Sequence, residues 1–408
     1  MTADTAAPRS SRGFDAGTPE YRRANLAMFV AGLACFGMLY GTQPILPLLA
    51  GHFAVSPAAI SLSVSAGTFA LALALVPASV ISDRIGRRTL MRVSLVAAAG
   101  FALFAAFAQS FGQLLLLRAL LGLSLAGVPA AALAYLGEEI APSAQGRAIG
   151  LYIAGNALGG MSGRYLSALV TDWADWRIGL ATLGVLGAAA AAYFWRALPA
   201  SRRFVPRHLP FSAVHRDIAG LFADPGLPRL FLVALLLMGA FVGVYNFLGF
   251  RLIVPPYDLS PTAIGAIFLL YAVGSWASAW AGRLADRFGR RNVLWVMVTI
   301  AGAGLLLTLA GGLWLIIAGV AVFTFGYFGA HTAASGWVGR RAGERRALAS
   351  ALYLGGYYIG GSVIGALTGF AWSGYGWPGV VALLALCVGG ALWLALWLRT
   401  VPQRQVSG

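Results

Sequence analysis

The chain has 408 residues, of which 59% are hydrophobic and only 10% are charged, and its mean hydropathy is +0.79. Because a soluble domain carries about 25% charged residues, this composition excludes a soluble globular protein of this size, and most of the surface must face lipid. The formal net charge of +16 comes from arginine alone. The arginines lie in short stretches between apolar segments, which is typical of membrane topology and argues against a nucleic-acid-binding protein.

The sequence begins with a polar segment, residues 1–23, that contains Pro, Ser, Gly and Arg. It lacks the short apolar core and the small-residue cleavage site of a signal peptide, so we expect a cytoplasmic tail. Cys35 and Cys387 lie inside apolar segments near opposite ends of the chain. We expect both to be small apolar side chains and not a disulfide or a metal pair.

Twelve apolar runs follow, each close to the ~20 residues that cross ~30 Å of hydrocarbon. They are apolar on every face, whereas barrel strands would alternate polar and apolar residues over about ten positions. We therefore predict an all-α membrane protein with twelve transmembrane helices. The first six runs cover residues 24–50, 58–82, 90–110, 113–137, 147–169 and 177–196. The last six cover residues 230–253, 261–281, 293–311, 313–337, 348–371 and 378–398.

The arginines favour one side of the membrane. If the N-terminus is inside, they fall in both tails, in the segment 197–229, and in the loops around 84–92, 147, 283–291 and 340–346. The other side then holds only Arg177 and Arg251. Since basic residues concentrate in cytoplasmic loops, we predict that both termini are cytoplasmic.

The sequence repeats itself on either side of the polar segment 197–229. The loop Ser-Asp-Arg-Ile-Gly-Arg-Arg at 82–88 is matched by Ala-Asp-Arg-Phe-Gly-Arg-Arg at 285–291, so that Asp83 and Asp286 are 203 residues apart. Leu151 and Leu352 begin two similar glycine-containing stretches that are 201 residues apart. We predict two parallel six-helix repeats, in the order cytoplasmic tail 1–23, N-terminal half 24–196, cytoplasmic linker 197–229, C-terminal half 230–398 and cytoplasmic tail 399–408.

These motifs resemble those of the major facilitator superfamily over nearly the whole chain. The family motif Gly-x-Leu-Ala-Asp-Arg-x-Gly-Arg-Arg is matched in full by residues 282–291, and the first copy departs from it by having Ser79 at the leading glycine. Stretches 43–47 and 159–164 are most similar to bacterial drug-efflux-type proton antiporters, in the branch called YnfM-like. The resemblance implies a multi-pass transporter of the bacterial inner (plasma) membrane that works by alternating access.

The two loop motifs predict a conformational latch on the cytoplasmic side. Glycine permits a tight turn between antiparallel helices, and the arginines can pair with the motif aspartate or with Glu138 and Glu139. We hypothesise that the latch holds the outward-facing state and breaks when the halves rock. The alternative is that the arginines serve only membrane topology. The predicted latch residues are Asp83, Arg84, Gly86, Arg87, Asp286, Arg287, Gly289 and Arg290.

Charged side chains at membrane depth are costly and are usually functional. Three basic side chains lie well inside predicted spans, namely Arg118, Arg164 and His331. Each has a structural alternative, which is bonding to backbone carbonyls for Arg118, snorkelling to the interface for Arg164, and hydrogen bonding at a packing site for His331. Arg251 is close enough to the end of its span to snorkel, and we treat it as interfacial. Polar and aromatic residues midway along other spans complete the predicted substrate-binding or coupling site: Tyr40, Gln43, Asn156, Tyr245, Asn246, Tyr327 and Tyr357.

None of the thirteen acidic residues lies in mid-membrane. Transporters of lipophilic cations generally use such a carboxylate, so we expect a neutral or anionic substrate and a cavity made positive by Arg118. We predict proton-coupled efflux of a small organic compound, in which His331, Asp83, an edge carboxylate or the substrate itself carries the proton. Uptake or exchange of a metabolite or nutrient is the alternative.

Other classes of function have little support in the sequence. An intramembrane enzyme would need a catalytic constellation at depth, and a receptor would be expected to carry a large soluble module, so both are remote alternatives. The chain has no Gly-Lys-Ser/Thr loop to hold ATP phosphates. We expect a monomer in the lipid bilayer with a small-molecule substrate, without catalytic residues, cofactor, metal or nucleic-acid partner.

Overall fold

The computed structural model describes residues 13–206 and 211–402, and these are almost entirely helical. The first half comprises α1 (Pro19–Tyr40), α2 (Leu46–Phe53), α3 (Pro57–Ile85), α4 (Arg87–Ala105), α5 (Phe111–Leu125), α6 (Gly127–Glu139), α7 (Pro142–Trp173) and α8 (Trp176–Ala197). After α9 (Phe211–Phe222), the second half comprises α10 (Leu227–Leu252), α11 (Pro261–Ile267), α12 (Tyr271–Phe288), α13 (Arg290–Leu307), α14 (Leu313–Ala342) and α15 (Arg346–Trp397). Parts of the predicted tails and linker, residues 1–12, 207–210 and 403–408, lie outside the described residues.

The described helices account for the predicted spans. Ten helical segments are long and apolar enough to cross a membrane. One of them, Leu348–Thr400, is interrupted at Gly376, whose φ of 60° and ψ of −148° are not helical, so it makes two crossings. Helix α7 is 32 residues long and packs against α1 and α8, although it is less apolar than the ten. The architecture is therefore an all-α bundle that accommodates twelve spans.

Three of the predicted spans are broken helices. The first span leaves the helix after Tyr40, forms a 3-10 turn at Gln43–Ile45 and resumes as α2. The fourth span divides into α5 and α6 around Ala126, and the eighth passes through a 3-10 turn at Phe268–Leu270. A break at membrane depth is tolerated where neighbouring protein groups satisfy the freed backbone. The breaks in the first and eighth spans position the candidate site described below.

The helices run up and down, so the bundle has two ends. We call the end with Pro19, Glu139, Arg290 and Trp397 the terminal face and the other end the opposite face. At the terminal face the backbone of Phe14 pairs with the backbone beside Ile140. At the opposite face Arg177 donates to the carbonyls of Ala106 and Ala108 at 3.0 and 2.9 Å.

The two loop motifs form the tight turns that the sequence predicts. Gly86 has φ 96° and Gly289 has φ 82°, and positive φ values of this kind are open to glycine at little cost. Each turn joins two antiparallel helices at the terminal face, α3 to α4 and α12 to α13. A side chain at either position would strain the turn.

The linker is held to both halves at the terminal face. The Glu139 carboxylate accepts hydrogen bonds from the amides of Arg202 and Arg203 at 2.9 and 3.0 Å. On the second half, Arg341 Nε donates to Asp224 Oδ1 at 2.6 Å, and both side chains are buried. The linker is therefore fixed through one buried carboxylate at each end.

The Asp224–Arg341 pair makes a prediction about stability. Burial raises the pKa of Asp224, but the bond from Arg341 and the bonds from two backbone amides outweigh burial, so the net pKa is lowered. A lowered carboxylate pKa stabilises the fold above the unfolded value near 3.9 and loses that effect as pH falls through the folded value. We expect Asp224→Asn to lower the free energy of unfolding at pH 7 by about 3 kcal/mol, because the charge-assisted bond between these two buried side chains is lost.

Thermal unfolding in detergent measures this effect. The matched control is Asp217→Asn, which removes an exposed pair with Arg345 at 3.0 Å and should change the melting temperature little. The difference between the two variants should shrink as the pH approaches 3. Equal melting temperatures at pH 7 would contradict a stabilising role for the buried pair.

Candidate functional site

The candidate site centres on Arg164, a buried arginine near the opposite-face end of α7 with only 3% of its surface exposed. Its helix packs closely against α1, since small residues let helix backbones approach each other in lipid. An added Cβ at Gly159 would overlap the Leu33 carbonyl, and one at Gly163 would overlap Gly37. The Arg164 guanidinium donates to Gln43 Oε1 at 2.6 Å and to the Gly160 carbonyl at 2.5 Å. The snorkelling alternative is wrong for this conformation, because the side chain is held inside the bundle.

Three aromatic rings surround the Arg164 guanidinium. Its central carbon lies 4.1 Å from the Tyr40 ring centroid, 4.9 Å from that of Tyr271 and 5.2 Å from that of Phe268. Each is within the ~6 Å at which a ring face attracts a cation. Tyr271 and Phe268 belong to the second half, so Arg164 contacts both halves of the protein.

A polar pair beside Arg164 connects the first span of each half. Gln43 Nε2 donates to Asn246 Oδ1 at 2.7 Å, and both side chains are buried. The two positions are 203 residues apart, the same offset as the two loop motifs, so the bond joins equivalent positions of the repeats. The Asn246 Nδ2 and Tyr40 hydroxyl are buried without a hydrogen-bond partner among the described residues. The site therefore offers one cation and two unused polar groups at the junction of the halves.

Aromatic side chains extend the site toward the middle of the second half. The Tyr271 ring lies 5.3 Å from that of Phe241, which stacks on Tyr327 at 3.9 Å. The Tyr245 ring lies 5.2 Å from Tyr271, and its hydroxyl is 2.8 Å from Thr324 Oγ1. These rings form a continuous cluster, which we call the aromatic wall, and each of them is buried in this conformation.

His331 lies at the far end of this aromatic wall. Its ring is stacked with Tyr327 at 6.2 Å and lies 5.0 Å from Tyr357. The Tyr353 hydroxyl is 2.9 Å from His331 Nδ1. The hydrogen-bonded packing site that the sequence allowed for His331 is thus present, and its ring also faces the aromatic wall.

We call Arg164, its polar neighbours Gln43 and Asn246, and the rings around them the Arg164 cluster. Two predicted site residues lie apart from this cluster. The Arg118 guanidinium donates to the backbone carbonyls of Ser63, Met38 and Leu39, at 3.1 Å for Ser63 and 2.9 Å for Met38. Arg118 is 2% exposed, so in this conformation it matches the structural alternative. Asn156 lies two turns from Arg164 along α7, about 12 Å at 1.5 Å per residue, and its Oδ1 is buried without a partner among the described residues.

The cluster also contains residues that sequence reasoning missed. Phe268 and Tyr271 supply two of the three rings around the cation, and Phe241 supplies the link to Tyr327. They occur in apolar runs where an aromatic residue is unremarkable, and the break at Phe268–Leu270 that brings two of them to Arg164 leaves no clear pattern in the sequence. The spacing of Phe241 and Tyr245, four residues apart on one helix face, is the signal that could have found one of them.

The hydrogen bonds between the halves share one side of the bundle. Among the described residues they run from Gln43 to Asn246, from Ser65 and Thr68 to Ser362, and from the Thr262 amide to Asp172. They lie at the middle of the bundle or toward the opposite face. The two halves are therefore joined on the side away from the terminal face.

The predicted latch residues make their ion pairs within each half. Arg87 pairs with Asp83 and, at 3.0 Å, with Glu138. In the second half Asp286 lies 3.7 Å from Arg290 and 3.3 Å from Arg340. Arg84 is exposed, and Arg287 stacks over its neighbour Phe288 at 5.0 Å. Among the described residues, neither motif pairs across the junction in this conformation.

Comparison with known proteins agrees with this architecture. The sequence profile of the Major Facilitator Superfamily matches residues 28–257 and 248–408. The uncharacterised MFS-type transporter YybF of Bacillus subtilis strain 168 is 41% identical over 382 residues, covering 94% of this chain and 95% of the relative. The inner membrane transport protein YnfM of Escherichia coli K12 is 44% identical over 341 residues, covering 84% and 82%.

A solved structure with the same fold is a bacterial homologue of the human lysosomal transporter Spinster in an inward-facing, occupied conformation. It superposes with a TM-score of 0.79 at 17% identity, covering 95% of this chain and 98% of the other. The two separate matches of the family profile agree with two repeats of one six-helix unit.

Proposed function

The chain belongs to the Major Facilitator Superfamily and is a multi-pass membrane transporter, and from this premise we propose that it exports a small organic anion in exchange for protons. The observation that carries the proposal is the buried guanidinium of Arg164 at the junction of the halves. None of the ion pairs among the described side chains involves Arg164. A cation without a protein counterion at membrane depth favours a ligand that supplies the negative charge.

The surroundings of Arg164 support the same class of substrate. Asn246 Nδ2 can donate a second hydrogen bond to an anionic group, and the Tyr40 hydroxyl a third. The aromatic wall from Tyr271 to Tyr327 can hold the apolar part of the molecule. We therefore assign substrate contact to the Arg164 cluster and a positioning role to Arg118.

The substrate would reach this site from the terminal face. The hydrogen bonds that close the opposite face would break when the halves rock, and the loop motifs would then approach the other half at the terminal face. This is alternating access about a central site. We propose that His331 carries the coupled proton, because it is the titratable imidazole beside the aromatic wall.

The distribution of arginine supports the orientation that we propose. The loops and linker of the terminal face carry most of the basic residues, including Arg84, Arg88, Arg202 and Arg340. Basic loops are retained in the cytoplasm, so we propose that the terminal face lies on the cytoplasmic side of the bacterial inner membrane. We further propose that residues 24–196 and 230–398 are the two halves that move relative to each other and that residues 197–229 link them. We propose that the protein acts as a monomer.

Asp83→Asn tests the latch. We expect transport to fall about tenfold with expression unchanged. Asp83 is 19% exposed, so the loss of its pair should cost more than the ~1 kcal/mol of an exposed pair and less than the ~3 kcal/mol of a buried one. Asp286→Asn is the matched variant, and its smaller expected effect follows from its 66% exposure. Rates are measured by radiolabelled substrate flux in vesicles with equal amounts of protein. An Asp83→Asn protein that transports at the unaltered rate would rule out the latch.

Transport in proteoliposomes with an imposed pH gradient tests the proposed function. Three substrate sets are compared, namely organic anions, neutral antibiotics and permanently cationic dyes. We expect movement of anions only, driven by the proton gradient in the direction of export. Movement of cationic dyes would contradict the proposed substrate class, and gradient-driven movement in the same direction as protons would favour uptake instead.

A further inference from the structure

A lateral groove of about 460 Å³ lies between α4 and α8, on the outside of the first half. Its walls are made of small apolar side chains from both helices, and Trp195 and Arg196 lie at its end toward the terminal face. The lining residues are Val96, Ala99, Gly100, Leu103, Ala188, Ala191, Ala192, Trp195 and Arg196. The groove is distinct from the Arg164 cluster, which lies at the junction of the halves.

The groove has the length of one lipid leaflet. From Leu103 to Arg92, which lies beside Trp195, α4 advances about 16 Å at 1.5 Å per residue. Half of the ~30 Å hydrocarbon layer is of the same size. A single acyl chain could therefore lie along the groove with its headgroup at the terminal face.

The terminal-face end of the groove is basic. Arg92 stacks over the Trp195 ring at 5.0 Å and donates to the Trp195 carbonyl, while its Nε is buried without a partner among the described residues. Arg88 donates to the Leu198 carbonyl at 3.1 Å. Arg196 is exposed, and within the described chain it has no ion pair or hydrogen bond. Three guanidinium groups thus lie at this end of the groove, and no carboxylate of the described residues pairs with any of them.

We propose that this groove is a binding site for one anionic phospholipid. The acyl chain lies against Ala99, Gly100 and Ala188, and the phosphodiester accepts hydrogen bonds from Arg92 and Arg196. Arginine binds phosphate oxygens through charge-assisted bonds, and basic pockets between membrane helices on the cytoplasmic side recognise anionic headgroups. The positive charge at the terminal-face end of the groove favours an anionic lipid over a zwitterionic one. The small side chains along the groove leave room for the acyl chain.

Native mass spectrometry of the purified full chain in detergent tests the proposal. Dioleoyl phosphatidylglycerol and dioleoyl phosphatidylcholine are titrated separately, and the dissociation constant of the first bound lipid is measured. We expect phosphatidylglycerol to bind the unaltered chain at least about tenfold more tightly, given ~1 kcal/mol per arginine near an anionic lipid. Equal affinity for the two lipids would overturn the proposal and leave only unselective annular lipid.

Two kinds of variant distinguish binding of the lipid headgroup from binding of its acyl chain. Arg196→Gln, alone and combined with Arg92→Gln, should weaken phosphatidylglycerol binding stepwise, by about tenfold for the pair, with little change for phosphatidylcholine. Gly100→Leu fills the groove without a clash, since a Cβ there meets no heavy atom within 4 Å, and should weaken phosphatidylglycerol binding with the arginines intact.

Matched controls lie in the second half. Arg399 stacks over Trp295 at 5.7 Å at the end of the last span, and Gly389 also has open space at its Cβ. Arg399→Gln and Gly389→Leu should leave the first phosphatidylglycerol site unchanged. The proposal fails if the groove variants bind phosphatidylglycerol as tightly as these controls do. Arg196→Gln keeps the test valid if the double variant is unstable, because Arg196 makes no described contact that the fold requires.

Discussion

Arg164→Gln is expected to lower transport of an organic anion about 100-fold while leaving a folded protein. The substitution removes the cation but keeps a donor for Gln43 Oε1, which Arg164 contacts at 2.6 Å. A hydrogen bond to a charged group contributes up to ~3 kcal/mol, which corresponds to about two orders of magnitude in affinity. The loss should appear mainly as a higher KM, because the anion is the missing partner of the charge.

The measurement is initial uptake into inverted vesicles or proteoliposomes over a range of substrate concentrations. Arg164→Lys keeps the charge without the planar guanidinium and should retain part of the activity. Arg251→Gln is the matched control, since Arg251 donates to the carbonyls of Thr308 and Ala310 near the opposite face and lies outside the Arg164 cluster. Transport by Arg164→Gln at the rate of this control would contradict substrate binding at Arg164.

Arg118→Met is expected to destabilise the folded protein. Met38 and Leu39 belong to the last turn of α1, where the carbonyls of a helix lose their intrahelical partners, and Arg118 donates to both. Its third bond, to the Ser63 carbonyl, ties α3 to the same point. Unsatisfied carbonyls at membrane depth cost several kcal/mol each, so we expect a loss of about 5 kcal/mol. At ~2.1 cal/mol/K per residue, this corresponds to a fall of about 6 °C in the melting temperature in detergent.

The same experiment distinguishes the two roles of Arg118. As a cap for the broken first span, it positions the turn Gln43–Ile45 and so acts on the substrate only through Gln43. Arg118→Lys should then restore much of the stability by supplying a cation to the end of α1. A stable Arg118→Met protein with a raised KM alone would instead place Arg118 in direct contact with the substrate.

Much of the fold could be predicted because it depends on local and periodic features of the chain. Twenty-residue apolar runs predict spans, and the turns at Gly86 and Gly289 follow from motifs whose glycines have the positive φ values that such turns require. The breaks in the spans were not predicted. The break after Tyr40 has a signal in the sequence, since Gly41, Pro44 and Pro47 follow it and proline disrupts a helix interior. The capping of this break by Arg118 becomes evident only in the structure.

The candidate site was predicted in part for the same reason. Residue type and depth identified Arg164, Gln43, Asn246 and Tyr40, because polar groups are rare in a membrane. The relative roles of the two arginines could not be assigned, since each is a lone cation in an apolar run. Their roles depend on which helix ends lie nearby, and backbone carbonyls surround Arg118 whereas aromatic rings surround Arg164.

The bond between Gln43 and Asn246 joins equivalent positions of the two repeats, and we infer from this contact that it lies near the axis that relates the halves. Any side chain on that axis faces its own counterpart. Gly365 lies 201 residues after Arg164, in the corresponding place of the second half, and its added Cβ would lie 3.5 Å from Asn246 Nδ2. Two identical halves would bring a second guanidinium beside the first, where like charges repel strongly in a medium of low dielectric constant. Because the halves are joined in one polypeptide, equivalent positions can carry different residues. The site at the junction can therefore hold a single guanidinium, to one side of the axis that relates the halves.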